Sequence, residues 1–284
     1  MTKLTQIQKA ENFLALHHAK EAFLMPNAWD AGSAILLAQA GFNAIGTTSA
    51  GIAFAKGLPD YTNRLSRADN MAAIAHISNA VDLPVSGDTE SGYGHKLEDV
   101  RDTITLTIKT GAVGASLEDY SGDKTLGLYD IEEATDRVSA AVEAIKASGI
   151  PLVLTARAEC FLAGHDNALS ESIKRLNRYR EAGAHCLYAP GPTDKQTIAT
   201  LVNEVEGPVN IVAGLSADAL SVAELSELGV QRISTGGSLA RACLATLRAT
   251  ATELMTSGTF SFASNAIPDA ELSSLFAKGQ DQEK

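Results

Sequence analysis

One hydrophobic pattern recurs along the chain. A short run of β-branched or apolar residues ends in polar or glycine positions, and an amphipathic stretch with apolar residues at i, i+3, i+4 and i+7 follows. The runs predict strands at 22–25, 44–48, 84–88, 113–117, 152–156, 186–189, 209–213 and 232–235. The stretches predict helices at 31–40, 97–110, 131–147, 169–182 and 223–228. Gly41, Gly111, Gly149, Gly183 and Gly229 each follow the last residue of a helix or lie one beyond it, where a left-handed cap ends the spiral. Alternation of strand and helix without hairpins implies a parallel sheet. Eight such units in 284 residues favour a (β/α)8 TIM barrel over a doubly wound sheet. An extra helix at 4–19 precedes the first strand and is placed to cover the barrel bottom.

No Pro- or Ser-rich linker divides the chain, so 1–257 reads as one barrel domain and 258–284 as a C-terminal helical tail. Within the tail, "FSFASNAIPDAELSSLF" predicts a helix opened by Pro268 at its first position, with Ala270, Leu272, Leu275 and Phe276 forming an apolar stripe. A stripe outside a finished barrel needs a surface, and a neighbouring subunit is the expected one.

Composition narrows the partners. Hydrophobic content is 45 % and mean hydropathy is near zero, as in ordinary globular chains. No apolar run reaches the ~18 residues of a membrane span. The opening residues lack a basic segment followed by an apolar core, so a cytoplasmic location is expected. A net charge of −11 argues against nucleic acid and anionic membrane as partners. A small molecule or another copy of the chain remains. Cys160, Cys186 and Cys243 are widely spaced, and read as buried thiols rather than disulfides or zinc ligands.

Sites in such barrels form at the C-terminal ends of the strands. There the third strand offers "SGDTESGYG" with Asp88 and Glu90, the fourth Glu118-Asp119, and the fifth Arg157-Ala158-Glu159. Singly, each has a plain reading: Asp30 as a helix N-cap, Asp119 and Glu159 as solvated loop acids, Asp60 as a turn acid, Cys160 as packing. Asp88 and Glu90 with Glu118 on the next strand are harder to dismiss. Two unit charges about 4 Å apart repel by roughly 4 kcal/mol at an effective dielectric of 20, so such a group needs protons or a cation. Hard oxygen donors select Mg²⁺ or Mn²⁺. Ser49-Ala50-Gly51 supplies small side chains and backbone N–H groups for an anionic oxygen, and Arg157 a fork for a carboxylate.

The ordered segments "GTTSAGIAFAKGLPD", "SGDTESGYG", "GASLEDYSG" and "TARAE" resemble the motifs of the isocitrate lyase/phosphoenolpyruvate mutase superfamily, over about residues 10 to 255. The resemblance implies a (β/α)8 barrel whose last helix is exchanged between subunits, in a homo-oligomer, usually a tetramer, possibly a dimer of helix-swapped dimers. It implies Asp88, Glu90 and Glu118 as holders of Mg²⁺, and Ser49, Ala50 and Gly51 at the carboxylate or oxo end of a 2-oxo acid. Asp60 would lie near the substrate and the metal's water, and Arg157 would grip the substrate.

The departures carry information too. The lyase loop Lys-Lys-Cys-Gly-His is replaced by "YSGDKTLGLYD", and the Lys-Thr-Asn stretch of mutases and phosphonopyruvate hydrolases is missing. Lys124 is the basic residue left in that loop, a candidate catalytic group. Glu90 stands for the usual Asp and Ala50 for the usual Gly. "YAPG", after the sixth strand, lacks the acid that relatives often place there. Residues 120–130, with Gly122 and Gly127, are expected to form a lid.

The implied activity is Mg²⁺-dependent C–C bond cleavage of a small 2-oxo or 2-hydroxy acid through a metal-stabilised enolate, with decarboxylation or acyl hydrolysis in the same class. P–C bond mutase or hydrolase chemistry is the alternative. A 2-oxo-acid-binding protein without catalysis is a third reading.

Overall fold

The computed structural model describes residues 4–60, 64–216 and 218–280; positions 61–63 of the "GLPDYTNR" segment and the last four of the tail lie outside them. The strands form one all-parallel sheet curled into a (β/α)8 barrel: β1 (Phe23–Met25), β2 (Asn27–Ala28), β3 (Ile45–Thr47), β4 (Val85–Asp88), β5 (Gly114–Glu118), β6 (Val153–Arg157), β7 (Cys186–Tyr188), β8 (Val209–Val212) and β9 (Arg232–Ser234). Each predicted strand is present within a residue or two. The exception is the first, which extends past Met25 and is interrupted at Pro26. Proline has no N–H for the ladder, so the strand splits into β1, paired with β9, and β2, paired with β3.

Asn27 seals that break. Its Nδ2 donates to the Thr47 carbonyl at 2.6 Å, and its Oδ1 accepts from the N–H groups of Thr235 and Gly236, both at 2.9 Å. Next to it, Gly46 leaves the necessary room: a Cβ there would lie 2.6 Å from Asn27 Nδ2.

The N-terminal helix α1 (Gln6–His17) covers the bottom as expected. Phe13 packs with Phe23, Val113 and Val153 at the strand starts. His17 Nδ1 donates to the Phe13 carbonyl (2.8 Å), which leaves Nε2 to accept from Arg232 Nη1 at 3.2 Å. Burial and then the Arg232 charge push the His17 pKa down to about 3, so the ring is neutral in the folded chain.

The outer helices are α2 (Ala31–Gln39), α3 (Ser49–Ala55), α4 (Arg67–Ala80), α5 (Leu97–Lys109), α6 (Ile131–Ser148), α7 (Ala168–Glu181), α8 (Lys195–Glu204) and α9 (Val222–Glu227). Asp30 caps α2, accepting from the Ser33 N–H at 2.7 Å. The largest core cluster lies between β5–β9 and α5–α9, with Ile104, Leu154, Leu176, Leu187 and Ile233 fully buried.

Two helices follow the barrel. α10 (Ser238–Thr256) touches the barrel near its start, at β2 and α3, and then runs exposed with Leu244, Leu247, Leu254 and Met255 uncovered. α11 (Asp269–Gln280) begins just after Pro268, one position later than predicted. It returns to α2 of the same chain, where Gln39 Nε2 donates to the Leu275 carbonyl at 2.9 Å and Phe276 meets Gly32. Part of the tail's apolar stripe is therefore covered within the chain, and the uncovered apolar surface is on α10. Cys243, on that exposed helix, is not the buried thiol the sequence suggested, whereas Cys160 and Cys186 are buried. Among the described residues no helix is long and apolar enough to cross a membrane.

The seam gives a test of the fold. Asn27→Ala strands one buried carbonyl and two N–H groups, each worth about 1–3 kcal/mol when unsatisfied. The urea unfolding midpoint should fall by the equivalent of about 3 kcal/mol; an unchanged midpoint would show that Asn27 does not hold the barrel closed.

Candidate active site

Neighbouring parallel strands end level with one another, so their last residues meet. Ser116 lies opposite Asp88 between β4 and β5, and Arg157 lies opposite Glu118 on one side and Tyr188 on the other. Arg157 is the centre of the group. Its Nη1 is 2.8 Å from Glu118 Oε1 and 3.4 Å from Asp88 Oδ1, its Nε donates to Glu159 Oε1 at 2.7 Å, and the guanidinium sits 5.0 Å over the Tyr188 ring. Burial acts to lower the Arg157 pKa, but Glu118, Glu159 and Asp88 outweigh it, and the net shift is well upward. The guanidinium stays charged.

Asp88 is fixed from every side. Oδ2 accepts from the Ser49 N–H (3.0 Å) and Ser49 Oγ (2.9 Å), and Oδ1 from Ser116 Oγ (3.0 Å). Its own N–H donates to Thr47 Oγ1, and its carbonyl accepts from Asn70 Nδ2, both at 2.8 Å. These bonds alter the reading of "SAG". Ser49 gives its N–H to Asp88, and Gly51 gives its N–H to the Thr48 cap. Gly51 faces Thr48, Trp29 and Ala240, where a Cβ would come within 2.6 Å of Thr48 Cγ2, so it serves packing rather than a ligand.

The loop after β4 holds two non-glycine residues in the left-handed region, Glu90 (φ 48°) and Tyr93 (φ 59°), a conformation that costs energy and needs support. The support is Arg137 of α6. It donates to the carbonyls of Ser91, Gly94 (2.8 Å) and His95 (2.7 Å), with its guanidinium 4.2 Å over Tyr129. The Glu118 N–H donates to the Glu90 carbonyl at 2.9 Å and ties the loop to β5.

A cavity of about 430 Å³ opens at this end of the barrel. Ser49, Ala50, Asp60, Asp88, Glu90, Glu118 and Arg157 all line it, so most of the expected site residues share one wall. Gly51 and Lys124 do not; Lys124 lines a neighbouring cavity. Sequence reasoning missed Arg241, which reaches the cavity from the first turn of α10, and gave no role to Tyr120 and Tyr188, which line it too. Tyr188 stands within "YAPG", the segment that seemed to bring nothing.

Asp119 and Glu159 were expected as solvated acids and are instead 3 % and 1 % exposed. Asp119 Oδ1 accepts from the Glu159 N–H (2.8 Å), and Oδ2 from Arg175 Nη1 (2.9 Å) and the Tyr179 hydroxyl (2.7 Å).

Among the described residues no three His, Cys, Asp or Glu side chains are grouped to hold an ion. Asp88, Glu90 and Glu118 share the wall, but the Arg157 guanidinium bridges Asp88 and Glu118 where the expectation put a dication. Positive charge is still short. Burial, with Glu159, Asp88 and Glu90 adding, raises the Glu118 pKa despite Arg157. Burial and then Asp88 and Asp60 push Glu90 up to about 8, and its carboxylate has no hydrogen-bond or ion-pair partner among the described residues. Oxygen donors with excess negative charge and no His or Cys in the lining fit a hard dication that keeps water in its shell.

The phosphoenolpyruvate phosphomutase family profile matches residues 13–255. The chain belongs to this family. A solved candidate lyase/mutase from Burkholderia cenocepacia is 46 % identical, with a TM-score of 0.92 over 96 % of this chain and 97 % of that one. The 2-methylisocitrate lyase of Escherichia coli is 30 % identical over 63 % of this chain and 61 % of its own length. A phosphonopyruvate hydrolase solved with oxalate and Mg²⁺ shares the fold at 23 % identity, with a TM-score of 0.86 over 99 % and 98 % of the two chains. Enzymes of the family include lyases and hydrolases of small acids, and the likeness fixes this chain's fold and family, not its reaction.

The raised Glu90 pKa makes a pH prediction. In metal-free protein the folded state keeps a proton on Glu90 that the unfolded chain releases near pH 4.5. Stability from this group is therefore full below pH 4.5 and is lost as pH rises through about 8. Glu90→Gln should flatten the fall in urea midpoint across that window; an unchanged slope would contradict the assignment.

Proposed function

We propose that the chain is a Mg²⁺-dependent enzyme that cleaves a C–C bond in a small 2-oxo or 2-hydroxy dicarboxylic acid, decarboxylation and acyl hydrolysis being variants of the same chemistry. The observation that carries this reading is the pairing of a fixed guanidinium with an electron-rich carboxylate wall. Arg157 Nε and Nη1 are held by Glu159, Glu118 and Asp88, while Nη2 makes no hydrogen bond among the described residues and belongs to a residue lining the cavity. That leaves two N–H donors for a substrate carboxylate, in a direction set before the ligand arrives.

Arg241 supplies a second cation at the same cavity, which favours a dicarboxylate over pyruvate itself. Glu90 and Asp88, with Glu118 and Asp60 beside them, would hold the metal, directly or through water. When bound, Mg²⁺ supplies Lewis acidity for the charge that develops on the 2-oxo group. The chain's own part is to orient the acid between Arg157 and Arg241 and, with Phe54, Leu162 and Leu215, to limit water around it.

The P–C alternative is supported by the family profile, while the absent Lys-Thr-Asn stretch weighs against it. The exposed apolar face of α10 supports assembly with further copies of the chain, and a homo-oligomer, a tetramer on the family pattern, is part of the proposal.

Oxaloacetate, isocitrate, methylisocitrate and dimethylmalate are to be assayed with Mg²⁺ for release of the 2-oxo or oxo-acid product, and phosphonopyruvate by ³¹P NMR. At least one of these four carboxylic acids should turn over and lose activity with chelator. Arg157→Met should lower kcat/KM by about 10³-fold, and Arg241→Met should raise KM about tenfold with a smaller change in kcat. Failure of all four in metal-loaded protein would overturn the lyase reading; turnover of phosphonopyruvate alone would replace it with the P–C one.

A further inference from the structure

Inside the barrel, beneath the acid wall, lies a smaller space of about 60 Å³. Barrel interiors are ordinarily filled by layers of bulky branched side chains. Here the inward positions are small or polar: Gly46, Ser86, Ser116, Asn210 and Ser234, with Arg232 on the side of the N-terminal plug. Arg232 and Ser234 are two apart on β9 and share its inward face, and Asn210 on β8 lies opposite Arg232. Asp88, Arg157, Tyr188 and Gly236 line both this space and the site cavity, so the two adjoin there.

Arg232 is 3 % exposed, yet its two partners are neutral. Nε donates to Asn210 Oδ1 (2.8 Å) and Nη1 to the uncharged His17 ring (3.2 Å), while Nη2 makes no hydrogen bond among the described residues. The titratable groups near enough to act on it are Cys186 and Tyr188, both held protonated by burial, and the like-charged Arg157. Asp88 and Arg157 pair with each other, so the charged residues lining the space sum to one positive charge, that of Arg232. A buried charge calls for a counter-charge. Two hydroxyls border the same space with a proton to give. Ser86 Oγ makes no hydrogen bond among the described residues, and Ser234 Oγ accepts from Asn210 Nδ2 (3.0 Å) but donates to nothing. A water needs about 10–15 Å³ of such space, so there is room for roughly five small atoms, too few for a dicarboxylic acid. We infer that the barrel interior binds a monovalent, halide-sized anion, such as chloride, between the Arg232 guanidinium and the hydroxyls of Ser86 and Ser234.

These donors come from β4 and β9, strands brought together across the barrel, so the cradle exists in the folded chain and the ion stabilises that state by mass action. The inference does not depend on the reaction proposed above, and its test needs no turnover. Protein in chloride-free buffer with sodium gluconate, an anion too large for the space, is titrated with chloride at constant ionic strength. Thermal unfolding and the ³⁵Cl NMR line width are followed, and crystals grown with sodium bromide are examined by anomalous scattering.

The Tm should rise saturably with chloride, by about 3 °C at a tenfold excess over Kd, and the line broadening should saturate at the same concentration. A bromide peak should lie between Arg232 and Ser86. Arg232→Met should abolish the chloride dependence. Should that variant fail to fold, Ser86→Ala decides the matter: loss of one hydroxyl donor to a charged partner should move the chloride midpoint up about tenfold. A chloride response identical in wild type and Ser86→Ala is a general salt effect and would overturn the inference. So would waters alone in the bromide crystals, or a bromide peak without saturable broadening in solution, which is binding at crystal concentration only. A carboxylate in the inner space after an oxalate soak would assign it to organic acids instead. Thiolate ultraviolet absorbance that disappears in Cys186→Ala would show that the chain itself meets the Arg232 charge, and the anion site would be withdrawn.

Discussion

The constraint on which the site depends is the burial of one guanidinium among carboxylates from three successive strand ends. Removing Arg157 from water carries a desolvation penalty of several kcal/mol, recovered only when geometry and hydrogen bonding are good. Here they are. Glu159, Glu118 and Asp88 meet it within 2.7–3.4 Å, Tyr188 lies under its face, and each partner is fixed by further bonds. The strands cannot slide relative to one another without breaking this group, so barrel register and site geometry are one property.

Behind it runs a second buried network. Arg175 and Tyr179 hold Asp119, Asp119 holds the Glu159 backbone, and Glu159 holds Arg157. Burial, and then the excess of negative charge that four carboxylates leave around one guanidinium, raise the pKa of Glu90 and Glu118. A protein that needed stability alone would have replaced some of these acids with neutral groups of similar size. Their persistence against that penalty is the physical reason to look for a cationic ligand.

Much of this was legible in the chain, and the rest was hidden for identifiable reasons. The strand ends could be read because a parallel barrel brings them to one mouth whatever the detail of the loops, which placed Asp88, Glu118 and Arg157 correctly. The N-terminal plug and the Asp30 cap follow from local pattern. Asp119 and Glu159 were misjudged because their partners arrive from afar: Arg175 and Tyr179 are 56 and 60 residues beyond Asp119. Arg241 hides in an amphipathic helix and gains meaning only from where that helix starts. Lys124 was drawn toward the chemistry by its loop, yet it lines the neighbouring cavity. The break at Pro26 was visible as a residue, but that the strand resumes beyond it depends on Asn27 finding partners on β3 and after β9.

Arg137 stands outside the cavity, and its grip on three carbonyls of one loop has a thermodynamic corollary. The ordering of that loop is completed during folding, so an incoming ligand meets a shelf whose entropy has already been surrendered. Affinity at the mouth is thereby made sensitive to a helix that no ligand contacts. Variation along α6 can then tune how tightly a ligand would be retained while every residue lining the cavity remains unaltered.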